Sequence, residues 1–140
     1  MRVIDWEYEA HPTISRFHLD SSFIRGLMGP LGSGKSVGCC ADLLKLAREQ
    51  TPSSDGIRRT RWAIIRNTYR ELHDTTMRTW FEHVPKDFGH WAAGDMEHRL
   101  KAGDFEAEFL FRALDRPDDV KKLLSLEFSA NTISGGKELN

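Results

Sequence analysis

Apolar positions along the chain change their spacing several times, and each change marks an element. Phe23-Ile24-Arg25-Gly26-Leu27-Met28 is a mostly apolar run of strand length. From Ser36 to Gln50, Val37, Cys40, Ala41, Leu44 and Ala47 recur at spacings of three and four, the period of an amphipathic helix. Thr51–Thr60 contains Pro52, Ser53, Ser54, Asp55 and Gly56 and reads as an exposed loop. Arg61-Trp62-Ala63-Ile64-Ile65-Arg66 reads as a second buried strand. A second helix starts at Asn67 or Thr68, because Thr68 and Glu71 have capping-box spacing. Leu72, Thr76, Trp80 and Phe81 share one of its faces, and Pro85 ends it.

Beyond Pro85 the pattern shortens. Lys86–Asp95 holds Gly89 and Gly94 and reads as loop, and 97–101 as a short strand. Ala102-Gly103-Asp104 is a turn. In Phe105–Arg112, Phe105, Ala107, Phe109 and Phe111 alternate with Glu106, Glu108, Leu110 and Arg112, which predicts a half-buried strand. Asp115-Arg116-Pro117-Asp118-Asp119 has acids and a proline where a helix begins, and Val120–Leu126 continues it. Residues 1–22 show no clear period, and Asn131–Asn140 has no periodic apolar pattern. Two apolar strands on either side of a helix form a βαβ unit. The expected class is therefore α/β, with a parallel sheet flanked by helices.

With 140 residues, 39% hydrophobic and 29% charged, the chain suits one soluble globular domain. No run of about 18 apolar residues suggests a membrane span. The N-terminus, Met1-Arg2-Val3-Ile4-Asp5-Trp6-Glu7, has acids where a signal peptide needs an apolar core, so a cytoplasmic location is expected. The adjacent Cys39 and Cys40 point about 100° apart on a helix and are expected as free, buried or half-buried thiols. The six histidines lack a second ligand at helical spacing, so no metal–histidine site is expected. Trp6, Tyr8 and Phe17 read as core or surface aromatics, with stacking on a base as the alternative.

The net charge of −1 gives no whole-chain attraction to nucleic acid. Its distribution is uneven. Residues 51–70 carry Arg58, Arg59, Arg61, Arg66 and Arg70 against Asp55, a local balance of +4, whereas residues 95–119 carry eight acids and four bases, a balance of −4. The basic stretch reads as a solvated face, with phosphate contact as the alternative.

One motif carries explicit chemistry. Gly29-Pro30-Leu31-Gly32-Ser33-Gly34-Lys35-Ser36 fits the phosphate-binding loop pattern G-x-x-x-x-G-K-[ST] at every fixed position. A chain of this length meets the pattern by accident roughly once in a few hundred cases. Its placement between an apolar run and a helix is the context the pattern requires. Glycines let successive N–H groups converge on an anion, and the helix dipole adds to their field. In that chemistry Lys35 reaches the β- and γ-phosphates of ATP and Ser36 binds Mg²⁺.

Three segments together resemble the N-terminal ATPase of bacteriophage terminase large subunits. They are Gly26–Ser36; Trp62-Ala63-Ile64-Ile65-Arg66-Asn67-Thr68-Tyr69-Arg70-Glu71-Leu72; and Phe111–Glu127, which includes Phe111-Arg112-Ala113-Leu114-Asp115-Arg116-Pro117-Asp118-Asp119. The resemblance covers roughly residues 20–127. It implies a P-loop NTPase of the additional-strand type, in which ATP and Mg²⁺ drive double-stranded viral DNA into a procapsid. It also implies a portal protein and a small terminase subunit as partners, a homo-oligomeric motor, no membrane, and the cytoplasm of a bacterial host. Gly29, Pro30, Leu31, Gly32, Ser33, Gly34, Lys35 and Ser36 match the family's Walker A loop. Arg66 matches an arginine that ends the second strand in many members, with a role in phosphate sensing or coupling.

The family continues into an apolar strand ending in paired acids that hold Mg²⁺ and activate water, and then into a nuclease domain. This chain instead reads Phe128-Ser129-Ala130-Asn131-Thr132-Ile133-Ser134-Gly135-Gly136-Lys137-Glu138-Leu139-Asn140. The expected organisation is an N-terminal segment over 1–22, a partial P-loop ATPase domain over 23–127, and an irregular tail over 128–140 that lacks the Walker B acid, the catalytic Glu and the nuclease. Two readings stand beside the truncated motor. One is a small P-loop kinase or other NTPase, with the basic residues at 58–61 as its lid; the other is a non-catalytic nucleotide-binding assembly module.

Overall fold

Trp62, Ala63, Ile64 and Ile65 are four consecutive buried residues. A strand buried on both faces belongs in the interior of a parallel arrangement. A computed structural model of the protein, which describes residues 12–22, 25–27, 34–124 and 130–133, places them there. The elements are α1 (Pro12–Leu19), α2 (Lys35–Glu49), β1 (Arg58–Arg66), α3 (Tyr69–Glu71), a π-helical turn (Leu72–Met77), α4 (Arg78–His83), β2 (His90–Ala92), β3 (Glu97–Ala102), β4 (Phe105–Ala113), α5 (Pro117–Leu124) and β5 (Ala130–Ile133). The strand order is β2-β3-β4-β1-β5.

The sheet is mixed, which corrects the expectation of a parallel one. β1 pairs in parallel with β4 and β5, but β2, β3 and β4 run antiparallel to one another. The physical reason lies in Gly103-Asp104. This turn is too short for anything but an antiparallel return, and Gly103 has a φ of 60°.

Other boundaries also shift. β1 begins at Arg58, inside the expected loop, and β2 forms within the segment 86–95 that reads as loop. β2 escapes detection because it is three residues long and pairs only with β3, His90 opposite Arg99 and Trp91 opposite His98. Gly89 makes the approach possible: with φ +80, a Cβ there would meet the Arg99 carbonyl oxygen at 2.2 Å. β4 is not half-buried, since Leu110, on its supposedly solvent face, is only 2% exposed. Ala130–Ile133 is a strand where the tail reads as irregular. α1 forms in the aperiodic N-terminal segment. Of the expected strand 23–28, residues 25–27 belong to no strand; Phe23, Ile24 and Met28 lie outside the described residues, as do Trp6 and Tyr8.

The second helix starts as its capping box predicts, the Glu71 N–H donating to Thr68 Oγ1 at 3.1 Å. Its middle is π-helical. The extra residue per turn brings Met77 inward together with Leu72, Thr76 and Trp80, all buried. Trp80 anchors the main cluster, its ring 4.6 Å from Phe109 and 5.8 Å from Phe111. Trp62, Ile64, Ala107 and Leu100 of the sheet and Cys40, Leu43 and Ala47 of α2 complete that core.

The two charged stretches meet across the β1–β4 ladder. Arg58 pairs with Asp104, Arg59 with Asp55 and Glu106, and Arg61 with Glu108. The basic and acidic segments therefore largely cancel each other, at exposed positions where each pair contributes little, about 0–1 kcal/mol. Among the described residues no helix is long and apolar enough to cross a membrane.

Candidate functional site

The first turn of α2 is the candidate anion site. Gly34 is its N-cap, in the left-handed region at φ 83°, which a side chain would resist. Its carbonyl accepts from the Gly38 N–H at 2.8 Å, closing the first turn. No side chain caps the helix and no acid lies in its first turn. The N–H groups of Lys35, Ser36 and Val37 have no acceptor within the helix, because the first turn of any α-helix leaves them so. A bound phosphate would satisfy them and the dipole together. Lys35 is half-buried and Ser36 exposed. Lys35 and Ser36 thus lie on a helix start that has no side-chain cap and no acid, a setting that suits an anion. Gly29, Pro30, Leu31, Gly32 and Ser33 lie outside the described residues.

α2 lies against the sheet with a small crevice beside its N-terminal half. Ser36, Cys39, Cys40 and Leu43 of α2, Ile64 of β1, Thr76 of the π-helical turn and Thr79 of α4 line a cavity of about 10 Å³. Burial raises the Cys39 thiol and pushes the Cys40 thiol up to about 12, so both stay protonated near neutral pH. Cys39 and Cys40 are free, half-buried and buried respectively, in line with their sequence reading.

Arg66 ends β1. By strand alternation it shares the face of Ile64, the residue that touches the crevice. Its guanidinium lies 3.8 Å from the Glu71 carboxylate, and its carbonyl accepts from the Leu114 N–H at 3.1 Å. The Tyr69 N–H donates to Asp115 Oδ2 at 2.8 Å. The carboxyl ends of β1 and β4 and the start of α3 are thus tied together on the edge of the sheet where α/β proteins bind ligands.

One residue that the apolar stripe of α2 conceals is Asp42. It is 4% exposed, yet it takes Arg25 Nη1 on Oδ1 at 3.2 Å and His18 Nδ1 at 3.1 Å. Arg25 also donates to the Phe17 carbonyl at 2.8 Å and lies 4.5 Å over its ring. Phe17 is therefore engaged in holding α1 to α2. Ile14 of α1 packs on Gly38, where a Cβ would come within 2.9 Å of its side chain.

Among the described residues no three His, Cys, Asp or Glu side chains gather as a metal site. No family model matches the chain, and neither the curated proteins nor the solved structures include a match to it.

Proposed function

We propose that the chain binds a Mg²⁺–nucleoside triphosphate, ATP in the first instance, through Gly29–Ser36, and that it is the ATP-binding portion of a P-loop, terminase-type DNA-packaging motor. The observation that carries this reading is the start of α2. A left-handed Gly34 leads into Lys35 and Ser36 on a helix with no side-chain cap, packed beside the carboxyl half of β1. In that role the backbone N–H groups bind phosphate oxygens, Lys35 neutralises their charge and Ser36 helps to hold Mg²⁺. The bound Mg²⁺ would supply charge neutralisation to the phosphates. In this reading Arg66, whose guanidinium lies 3.8 Å from Glu71, responds to phosphate through that neighbour. Double-stranded DNA, a portal protein, a small terminase subunit and a homo-oligomeric assembly enter the proposal through the sequence resemblance.

The structure removes the observation that favoured a kinase lid, because Arg58, Arg59 and Arg61 belong to β1 and pair with acids. The non-catalytic reading keeps one specific support. β5, the strand beside β1, is Ala130-Asn131-Thr132-Ile133 and carries no carboxylate to position water. Binding with slow turnover, well under about 1 s⁻¹, is therefore the expected behaviour of this chain. Equilibrium binding of Mg²⁺–ATP to the parent and to Lys35→Ala tests the assignment. Loss of a charge-assisted phosphate contact weakens binding at least ~10-fold; equal affinities refute it.

A further inference from the structure

Asp42 is a buried charge that phosphate binding as described so far does not use. It lies two turns beyond Lys35, about 10 Å along the axis of α2. The Arg25 guanidinium meets it fork to fork, Nη1 donating to Oδ1 at 3.2 Å and Nη2 to Oδ2 at 2.5 Å. The two side chains are only 14% and 6% exposed. His18, near the end of α1, meets the same carboxylate, and Lys45, on the next turn of α2, donates to the His18 carbonyl at 3.0 Å. Arg25 stands four residues before Gly29 and Asp42 six residues after Ser36. One buried carboxylate therefore ties together the two flanks of the phosphate-binding motif.

A buried ion pair is a poor source of stability. Desolvating two charges cancels most of their attraction, and apolar side chains of similar volume commonly do as well or better. What the fork does supply is geometry, because a bidentate guanidinium–carboxylate contact fixes distance and orientation together. That geometry matters for the segment it flanks. Of the nine residues from 26 to 34, four are glycine, the residue with the most backbone freedom to lose. An anion that must order such a sequence binds more weakly by the entropy lost, and fixed ends reduce that loss.

We infer that Arg25 and Asp42 form a clasp that sets the approach to the phosphate-binding segment against α2, and that both are positioning residues for the triphosphate of a bound nucleotide. Neither touches phosphate in this role. α1 covers the clasp from one side, with the Phe17 ring 4.5 Å from the guanidinium and Ile14 packed on Gly38. The inference rests on the nucleotide-binding reading and adds the groups that hold its site in shape.

The test is Mg²⁺–ATP binding by the full chain, as the parent, as the paired variant Arg25→Met/Asp42→Leu and as Arg25→Lys, with thermal unfolding of each ligand-free protein. The paired variant leaves no charge buried, and a methionine sulfur suits the Phe17 ring. It should be at least as heat-stable as the parent yet bind Mg²⁺–ATP ~10-fold more weakly, the loss expected when the competent arrangement falls to about a tenth of the population. Arg25→Lys keeps the charge but not the fork, and should also bind more weakly. A pair that served stability alone would give the reverse: a lower Tm with unchanged affinity in the folded protein. A folded paired variant that binds Mg²⁺–ATP as tightly as the parent overturns this inference alone. A parent that binds no nucleotide overturns it together with the reading on which it rests. If the paired variant does not fold, Arg25→Lys decides, and an affinity equal to the parent's overturns the inference.

Discussion

His98 is the most consequential buried polar side chain in the fold. It is 0% exposed, its Nδ1 accepts from the Trp80 indole N–H at 2.8 Å, and its Nε2 lies 2.8 Å from the Phe88 carbonyl. Indole nitrogen only donates, so Nδ1 must be bare and Nε2 must carry the proton that goes to Phe88. The ring is thereby fixed as one neutral tautomer. Replacing it with phenylalanine keeps the volume but orphans a buried N–H and a buried C=O. At about 1–3 kcal/mol for each group, the loss is roughly 2–6 kcal/mol. For a chain of this size each kcal/mol moves Tm by about 3–4 °C, so His98→Phe should unfold ~6–24 °C lower. Urea and thermal unfolding followed by tryptophan fluorescence measure it directly.

The same residue predicts a pH dependence. Burial holds the imidazole below its usual value near 6.5, with the Phe88 carbonyl opposing that fall. Between the folded value and 6.5 the unfolded chain binds the extra proton. The contribution is therefore fully present above about pH 6.5 and is lost as pH falls from there through the folded value. His98→Phe should lack this component of the parent's acid sensitivity. A variant within about 0.5 kcal/mol of the parent, or one with the same pH profile between 5 and 7, would refute the assignment of the ring as a doubly bonded neutral base.

Two other substitutions follow from the packing. Gly89→Ala would drive a Cβ into the Arg99 carbonyl at a positive φ, so β2 should detach or the protein lose more than about 2 kcal/mol, read by hydrogen exchange in 90–92 and by urea unfolding. Asp42→Ala leaves Arg25 without its buried partner and should cost about 3–5 kcal/mol, with faster proteolysis near α1 as the local sign; an unchanged Tm contradicts the buried pair.

Much of the scaffold was legible because local signals agreed with one another. The period in 36–50, the Thr68–Glu71 box and the alternation in Phe105–Arg112 each fixed an element to within a few residues. What stayed hidden depends on partners distant in sequence. β2 exists only because Gly89 admits the Arg99 backbone, and β5 only because β1 offers it an edge. Leu110 is buried because β4 is interior, which no single-strand pattern reveals. The π-helical turn keeps an α-like apolar stripe and differs by one residue of register, so spacing placed Thr76 on the inner face without showing the crevice it lines. At the site, Lys35 and Ser36 were legible from their motif, whereas Thr79 and Asp42 had no sequence signal apart from a polar residue beside an apolar face.

The central claim is that nucleotide binds at the start of α2. Titrating the isotope-labelled full chain with Mg²⁺–ATP and following backbone amide resonances locates the ligand residue by residue. The account predicts the largest changes at Gly34, Lys35 and Ser36, smaller ones at Thr76 and Arg66, and none in β2 or β3; their loss in Lys35→Ala completes the pattern. An unchanged spectrum at millimolar nucleotide, or changes confined to the β2–β3 end of the sheet, would contradict it.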